Sequence, residues 1–230
     1  MSDQVRDLFD RIAPVYDQLN QLLSLGQHRI WKQMAVKWSG AKAGDRCLDL
    51  CCGSGDLALM LAEKVGRQGQ VFGVDFSAAQ LAIAHQRTEH HWSRLPITWL
   101  EGDALDIPFP DNQFDAATMG YGLRNVTDIP RCLQQFHRVL KPGARAAILD
   151  FNRSTNPQIQ RFQGWYLDAI VVPVARQFGL TEEYAYIAPS LERFPTGQEQ
   201  IQLAQQAGFS TATHYPIAGS TMGVLVVCKV

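Results

Sequence analysis

The chain carries almost no net charge: 21 Lys and Arg stand against 22 Asp and Glu, leaving −1. Without a basic excess it lacks the electrostatic footprint of a nucleic-acid binder, so nucleic acid is not an expected partner. No apolar run approaches the roughly 18 residues needed to cross a bilayer. Residues Met1 to Arg6 do not read as the start of a secretion signal. The cysteines are few and odd in number, at Cys47, Cys51, Cys52, Cys132 and Cys228. Their spacing makes neither a zinc ligand set nor a secreted disulfide framework, so no metal is expected. A reducing cytoplasm is the expected compartment, peripheral at most to a membrane. Also missing is a phosphate loop ending in Gly-Lys-Ser/Thr, which excludes the common route to ATP. No repeat or low-complexity segment is present.

What is there is ordinary in bulk. Hydrophobic residues make up 46% and charged residues 19% of 230 positions, enough for one large domain spanning 1–230. Apolar residues recur at helical spacing from Val5 to Leu23 with a break at Pro14, predicting two short helices, and a further helix follows over 28–38. From Arg46 onward short apolar runs alternate with helical patterns. Strands are predicted at 46–50, 70–75, 96–101, 114–119 and 145–151, and helices at 56–65, 78–90 and 128–140. That rhythm implies an α/β fold with a parallel sheet covered on both faces. Residues 156–193 hold no convincing strand; a helix-like stretch from Ile159 to Phe178 breaks near Pro173. A last helix ends at Gly208, and two strands joined by a short glycine-containing connection predict an antiparallel hairpin at the sheet edge.

The densest chemistry lies between Leu48 and Asp56, where a strand runs into Gly53, Ser54 and Gly55 just before a helix. About 20 residues on, a second strand ends in Asp75, followed by Phe76. Strand, glycine turn, helix, strand and acid make an adenosine-binding cleft in a parallel sheet, with Asp75 placed to accept from a ribose diol. A nicotinamide dinucleotide and S-adenosylmethionine (SAM) both remain candidates for it. Asp49 inside the strand end and Asp56 at the helix start disfavour a pyrophosphate, and suit a ligand with an ammonium and a sulfonium. A third acid, Asp103, ends the next strand. It is placed to accept from the adenine amine, with the Ala104 backbone supporting the ring. Acids at three successive strand ends point to SAM.

These residues resemble the seven-strand SAM-dependent methyltransferases. Tyr16, Asp17 and Asn20 with Ser24, His28 and Trp31, then Gly122 to Val126, then Arg138 to Gly143, are similar to three segments of the ubiquinone/menaquinone biosynthesis C-methyltransferases. The likeness spans nearly the whole chain. Leu19, Ala144, Asp150 and Asn152 depart from the commonest family residues in the manner of the cyanobacterial and plastid branch, which acts on demethylphylloquinone or its unsaturated analogue.

The resemblance implies a Rossmann-like, mostly parallel seven-stranded sheet with an antiparallel C-terminal hairpin, N-terminal helices and a helical insert before the last two strands. Within it, 1–40 would be a lid, 41–151 the SAM-binding core, 152–197 a substrate cap and 198–230 the final helix and strand pair. The implied reaction moves a methyl from SAM to a ring carbon of a 1,4-naphthoquinol, which must be reduced because a quinone carbon is electrophilic. Arg124, at a strand end, is the candidate partner for phenolate charge, with a surface salt bridge as its plainer role. Asn125 is a candidate ligand to SAM or substrate, and otherwise a cap or turn residue. His28 is the natural proton acceptor, although a lone histidine is more often structural. Tyr16 and Asp17 would close over the methionine end of SAM, with helix packing and capping as their plainer roles. Cys51 and Cys52 are read as small loop residues, not nucleophiles. The apolar segment from Gly164 to Ala175 is a buried cap or a hydrocarbon-lined one; Trp165, Tyr184 and Tyr186 are its candidate substrate contacts. Arg161, Arg176 and Arg193 flank it, few enough to imply only transient contact with a membrane surface. A homodimer is compatible with the pattern. Three rivals remain: a nucleic-acid methyltransferase, for which the expected Asn/Asp-Pro-Pro-aromatic signature is replaced by Met119 to Gly122; a methyltransferase of another lipophilic acceptor, whether benzoquinol, sterol or polyketide; and a catalytically silent scaffold.

Overall fold

A computed structural model of the chain describes residues 21–89 and 96–230. The two helices predicted before residue 25, with Tyr16 and Asp17, fall almost wholly outside the described residues. Helix α1 covers Gln27–Trp38, and the strand–helix alternation follows: β1 Arg46–Leu50, α2 Asp56–Val65, β2 Gln70–Asp75, α3 Ala78–Glu89, β3 Ile97–Glu101, β4 Phe114–Gly120, α4 Ile129–Val139 and β5 Leu140–Phe151. These strands are short apolar runs because a parallel sheet buries both faces and leaves no polar side to alternate with. Along β1, Cys47 packs with α1 and α2, while Leu48 and Leu50 pack on the opposite face with α4.

Between β5 and the last strands the chain is helical: α5 Pro157–Tyr166, a π turn at Leu167–Val171, α6 Val172–Gln177, α7 Thr181–Ala185 and α8 Ile187–Arg193. The break predicted at Pro173 is this π turn. Proline has no N–H to donate to the carbonyl four residues back, so the ladder widens one turn before it. Helix α9, Gly197–Gln206, starts with a capping box of Thr196 and Glu199. It ends with Phe209 N–H donating to the Ala204 carbonyl and Gly208 N–H to the Gln205 carbonyl, while Gly208 adopts φ of 105°. Strands β6 Thr211–Ile217 and β7 Met222–Cys228 form the predicted hairpin.

The seven strands lie in the order β3-β2-β1-β4-β5-β7-β6, with β7 antiparallel to both neighbours. The order reverses between β1 and β4, and there the loops after the two strands diverge to opposite sides. That opens a crevice at their carboxyl ends, where ligands bind in open α/β sheets. Among the described residues no helix is long and apolar enough to cross a membrane.

Candidate active site

Two non-glycine residues take left-handed backbone conformations in the described chain at this crevice: Cys51, just after β1, with φ of 54°, and Tyr121, just after β4, with φ of 60°. Such strain is tolerated where surrounding structure enforces it, and it concentrates at ligand sites. The glycine loop follows directly on Cys51. The Asp75 carboxylate at the end of β2 accepts from the Gly53 amide at 2.8 Å and from the Ser77 amide at 2.9 Å. Gly55 sits at φ of 91°, and a Cβ there would stand 2.5 Å from the Trp99 ring. Gly55 therefore serves the packing of the loop onto β3. Gly53, Ser54, Asp75 and Phe76 do share the wall of one cavity, with Tyr121 and Asn125 opposite.

The remaining predicted cofactor residues lie elsewhere. Asp103 and Ala104 are not on that wall. Asp103 Oδ1 accepts from the Leu105 amide within its own turn, and Ala104 is buried in the core. Asp49 lies beneath the loop, fully buried, accepting from the Thr118 hydroxyl across the β1–β4 pair at 2.8 Å. Its Oδ2 makes no hydrogen bond of ordinary geometry with the described residues. Burial pushes the Asp49 carboxyl up to about 7, against the Thr118 hydroxyl, the Ala58 amide and the Lys32 ammonium, which hold it down.

Asp56 requires a correction. As a bare carboxylate at the helix start it is expected to disfavour a pyrophosphate and suit an ammonium. In the structure both oxygens are taken: Lys32 Nζ donates to Oδ2 at 2.6 Å and Arg87 Nη2 to Oδ1 at 2.5 Å. Desolvation raises its proton affinity, but the two cations outweigh it and hold the carboxyl well below the usual range. The sequence reading missed Lys32. A signal was available: His28 and Lys32, four apart, both fall on the buried face of α1 with Ala35 and Val36.

A second cavity of about 370 Å³ adjoins the first, and Tyr121 and Asn125 line both. Its walls bring together the predicted His28, Arg124, Tyr184 and Tyr186, with Trp31 and Met222. His28 Nδ1 lies 2.8 Å from the Ser24 hydroxyl. Arg124 is no surface residue. Its Nε pairs with Asp150 Oδ1 at 3.4 Å, its backbone amide donates to Asp150 Oδ2 at 3.0 Å, and Nη1 donates to the Ser190 hydroxyl on α8. Asp150 also accepts from the Phe151 amide. Burial pushes the Asp150 carboxyl up, opposed by Arg124 and these amides. The carboxylate thus holds the guanidinium at the cavity wall by its Nε edge.

Trp165 is placed differently from its predicted role. It is 57% exposed and off the cavity wall, whereas Phe162 and Tyr166, four apart on α5, line it. One residue of helix rotation separates the two outcomes, and no apolar count distinguishes them. Tyr166 also donates its hydroxyl to the Leu23 carbonyl, tying the cap to the segment before α1. Cys51 and Cys52 both line the first cavity, and burial, then the nearby Asp75, push their thiols well above the usual range. Neither is a thiolate near neutral pH, so covalent catalysis has no nucleophile there.

The first cavity fits SAM on its own atoms. Asn125 Nδ2 donates to the Tyr121 carbonyl at 2.9 Å, which leaves Oδ1 a buried acceptor with no hydrogen bond from the described residues. A ligand donor between the two cavities would meet it. No cluster able to hold a metal occurs among the described residues.

Solved structures with this fold include a SAM-dependent methyltransferase from Aquifex aeolicus, with TM-score 0.65 and 19% identity over 92% of this chain and 96% of that one. A putative SAM-dependent methyltransferase from Methanococcus maripaludis has TM-score 0.65 and 19% identity, covering 96% and 93%. Similarity in sequence reaches much further. The 2-phytyl-1,4-naphtoquinone methyltransferase of Trichormus variabilis is 66% identical over 100% of both chains. The chloroplastic 2-phytyl-1,4-beta-naphthoquinone methyltransferase of Arabidopsis thaliana is 56% identical over 99% of this chain and 88% of its own. With residues 1–229 matching the model of the ubiE/COQ5 methyltransferase family, the chain belongs to that family and is a SAM-dependent methyltransferase.

Proposed function

We propose that the protein methylates a ring carbon of a reduced 2-phytyl-1,4-naphthoquinone, the closing methylation of phylloquinone-type quinone synthesis. The observation that carries this reading is the second cavity. It is walled by aromatic and aliphatic side chains, carries one guanidinium, and meets the cofactor cavity at Tyr121 and Asn125. Bound SAM supplies an electrophilic methyl on a sulfonium.

The residues of this chain do the rest. Arg124, held by Asp150 and Ser190, offers its remaining N–H groups to a quinol oxygen and stabilises phenolate charge as the ring becomes nucleophilic. His28 is the proposed acceptor of the ring proton released after transfer. Asn125 Oδ1 orients a donor between the cavities. Trp31, Tyr184 and Tyr186 position the rings, so that reacting atoms meet without a search through solvent. The turn at Asp103 and Ala104, which follows β3 beside Asp75, is assigned to the adenine end; the Gly102 amide donates to the Asp75 carbonyl there. Residues 152–197 act as cap in this reading, with the described part of 1–40, from residue 21 on, as lid.

A cavity of 370 Å³ lies at the low end for drug-sized ligands, so a long hydrocarbon tail has to leave through the mouth. Leu25 and Phe162 line that cavity and are also exposed, and Trp165 stands next to Phe162. Exposed Arg161 and Arg176 lie on the same helical segment. Together they support transient contact with a membrane surface at the mouth.

The test is purified protein with methyl-labelled SAM and a panel of demethylnaphthoquinones, benzoquinones and a sterol, each with and without reductant. Label should enter the phytylated naphthoquinone only when it is reduced. Labelling of benzoquinols or sterol with none in any naphthoquinol would overturn the proposal.

A further inference from the structure

The wall of the cofactor cavity holds a single Lys or Arg among the described residues, and SAM holds a single anion. We infer that Lys32 binds the methionyl carboxylate of SAM and that Asp56 and Arg87 position it. Carboxylates and ammonium groups are not interchangeable partners, so the assignment is chemically specific. The adenosine is neutral, and the sulfonium and ammonium repel a lysine. Only the carboxylate attracts it.

The geometry supports a functional cation here. Lys32 comes from the buried face of α1, and only 6% of its side chain is exposed. Its one ion-pair partner among the described residues, Asp56, is shared with Arg87, so the three side chains carry a net positive charge. Arg87 is 33% exposed and also donates to the Ser54 carbonyl and hydroxyl, so water and the loop meet its charge. Lys32 has no such second hydrogen-bonded outlet among the described residues. An ammonium carries three donors; one goes to Asp56, and the group lies 5.8 Å from the centre of the Tyr121 ring. Lys32, Asp56, Ser54 and Tyr121 all line the cavity. A buried excess cation is costly unless a ligand anion completes it. Asp56, with both oxygens engaged, fixes the long lysine side chain before the ligand arrives, which lowers the entropy lost on binding. Arg87 in turn prevents Asp56 from fully neutralising the lysine. The cluster is thus arranged to keep one positive charge on the cavity wall.

This inference concerns cofactor binding and stands whatever the methyl acceptor is. It is tested by calorimetry on the full chain with two ligands, S-adenosylhomocysteine, which keeps the carboxylate, and 5′-methylthioadenosine, which lacks the amino-acid end. Lys32→Met should weaken S-adenosylhomocysteine roughly tenfold or more, the usual loss of a charge-assisted hydrogen bond, and leave 5′-methylthioadenosine unchanged. Lys32→Arg should recover part of the loss, and Asp56→Asn should weaken S-adenosylhomocysteine selectively but less. Binding of 5′-methylthioadenosine also reports that each variant keeps an intact cavity. Equal weakening of both ligands would assign Lys32 to holding α1 on α2. Unchanged S-adenosylhomocysteine affinity would place the carboxylate elsewhere. Either result overturns the inference.

Discussion

Two carboxylates seven positions apart, Asp49 and Asp56, are indistinguishable as letters and opposite in behaviour. Asp49 is sealed under the loop with one hydroxyl partner and keeps its proton to about 7. Asp56 sits between two cations and is held in its ionised form. The consequence for stability has a definite sign. The unfolded chain releases the Asp49 proton near pH 4, whereas the folded chain holds it to about 7. Stability contributed at this site therefore falls as pH rises through that interval, by up to about 4 kcal/mol. Asp49→Asn should remove this slope while keeping an acceptor for Thr118. Urea unfolding of both proteins at pH 4.5 and 7.5 checks it: the advantage of the Asn variant should grow with pH, and a constant difference would mean that Asp49 is ionised in the fold. Arg124 needs equal care. Truncating it alone would strand Asp150 as a buried, unpaired carboxylate, which costs several kcal/mol and confuses catalysis with folding. The informative variant is Arg124→Gln combined with Asp150→Asn. Its turnover on the reduced acceptor should drop on the order of 100-fold, the scale of one lost oxyanion donor, with SAM affinity little changed. Undiminished turnover would remove Arg124 from the chemistry.

At the scale of elements, the helical segment between β5 and β6 is the least regular part of the described chain. Its apolar residues Leu167, Val171, Ala175, Leu180 and Tyr184 form a cluster of their own, apart from the two clusters that flank the sheet. Its first part is tied to the rest chiefly by polar contacts, Gln163 to the Asn152 and Thr221 carbonyls and Tyr166 to Leu23, whereas α8 is anchored by Arg124 to Ser190 and by Leu191, which packs into the sheet core. A unit with its own small core opens at lower free energy than the sheet. Amide exchange over α5 to α7 should accordingly outpace exchange in β1, β4 and β5 by orders of magnitude, and slow when acceptor analogue fills the cavity. Equal protection of cap and strands would show one cooperative unit and no separately opening cap. The helical character of this stretch and its break near Pro173 were legible from composition and from proline chemistry. Which face of α5 turned inward was not. Phe162, Trp165 and Tyr166 are all aromatic, Phe162 and Trp165 are both more than half exposed, and only the cavity wall, with the Tyr166 tie to Leu23, separates Phe162 and Tyr166 from Trp165.

For the molecule as a whole, the order β3-β2-β1-β4-β5-β7-β6 puts the glycine loop and the Tyr121–Asn125 turn on the two sides of one crevice. They are about 70 residues apart in the chain, and their meeting follows from the reversal between β1 and β4. By itself the sequence determined the strands, the helices on both faces, the hairpin and the cofactor loop, because each rests on local periodicity, turn chemistry or a motif a few residues long. It also identified Arg124, Asn125 and His28 as residues worth following. Only tertiary structure decided what those groups touch. It paired Asp56 with Lys32 and Arg87, set Asp150 and Ser190 around Arg124, sank Asp49 to where its carboxyl keeps a proton, and turned Trp165 outward. The physical reason is that secondary structure answers to neighbours along the chain, whereas charge state, burial and cavity walls depend on groups brought together across it, and the one-dimensional pattern does not record those distances.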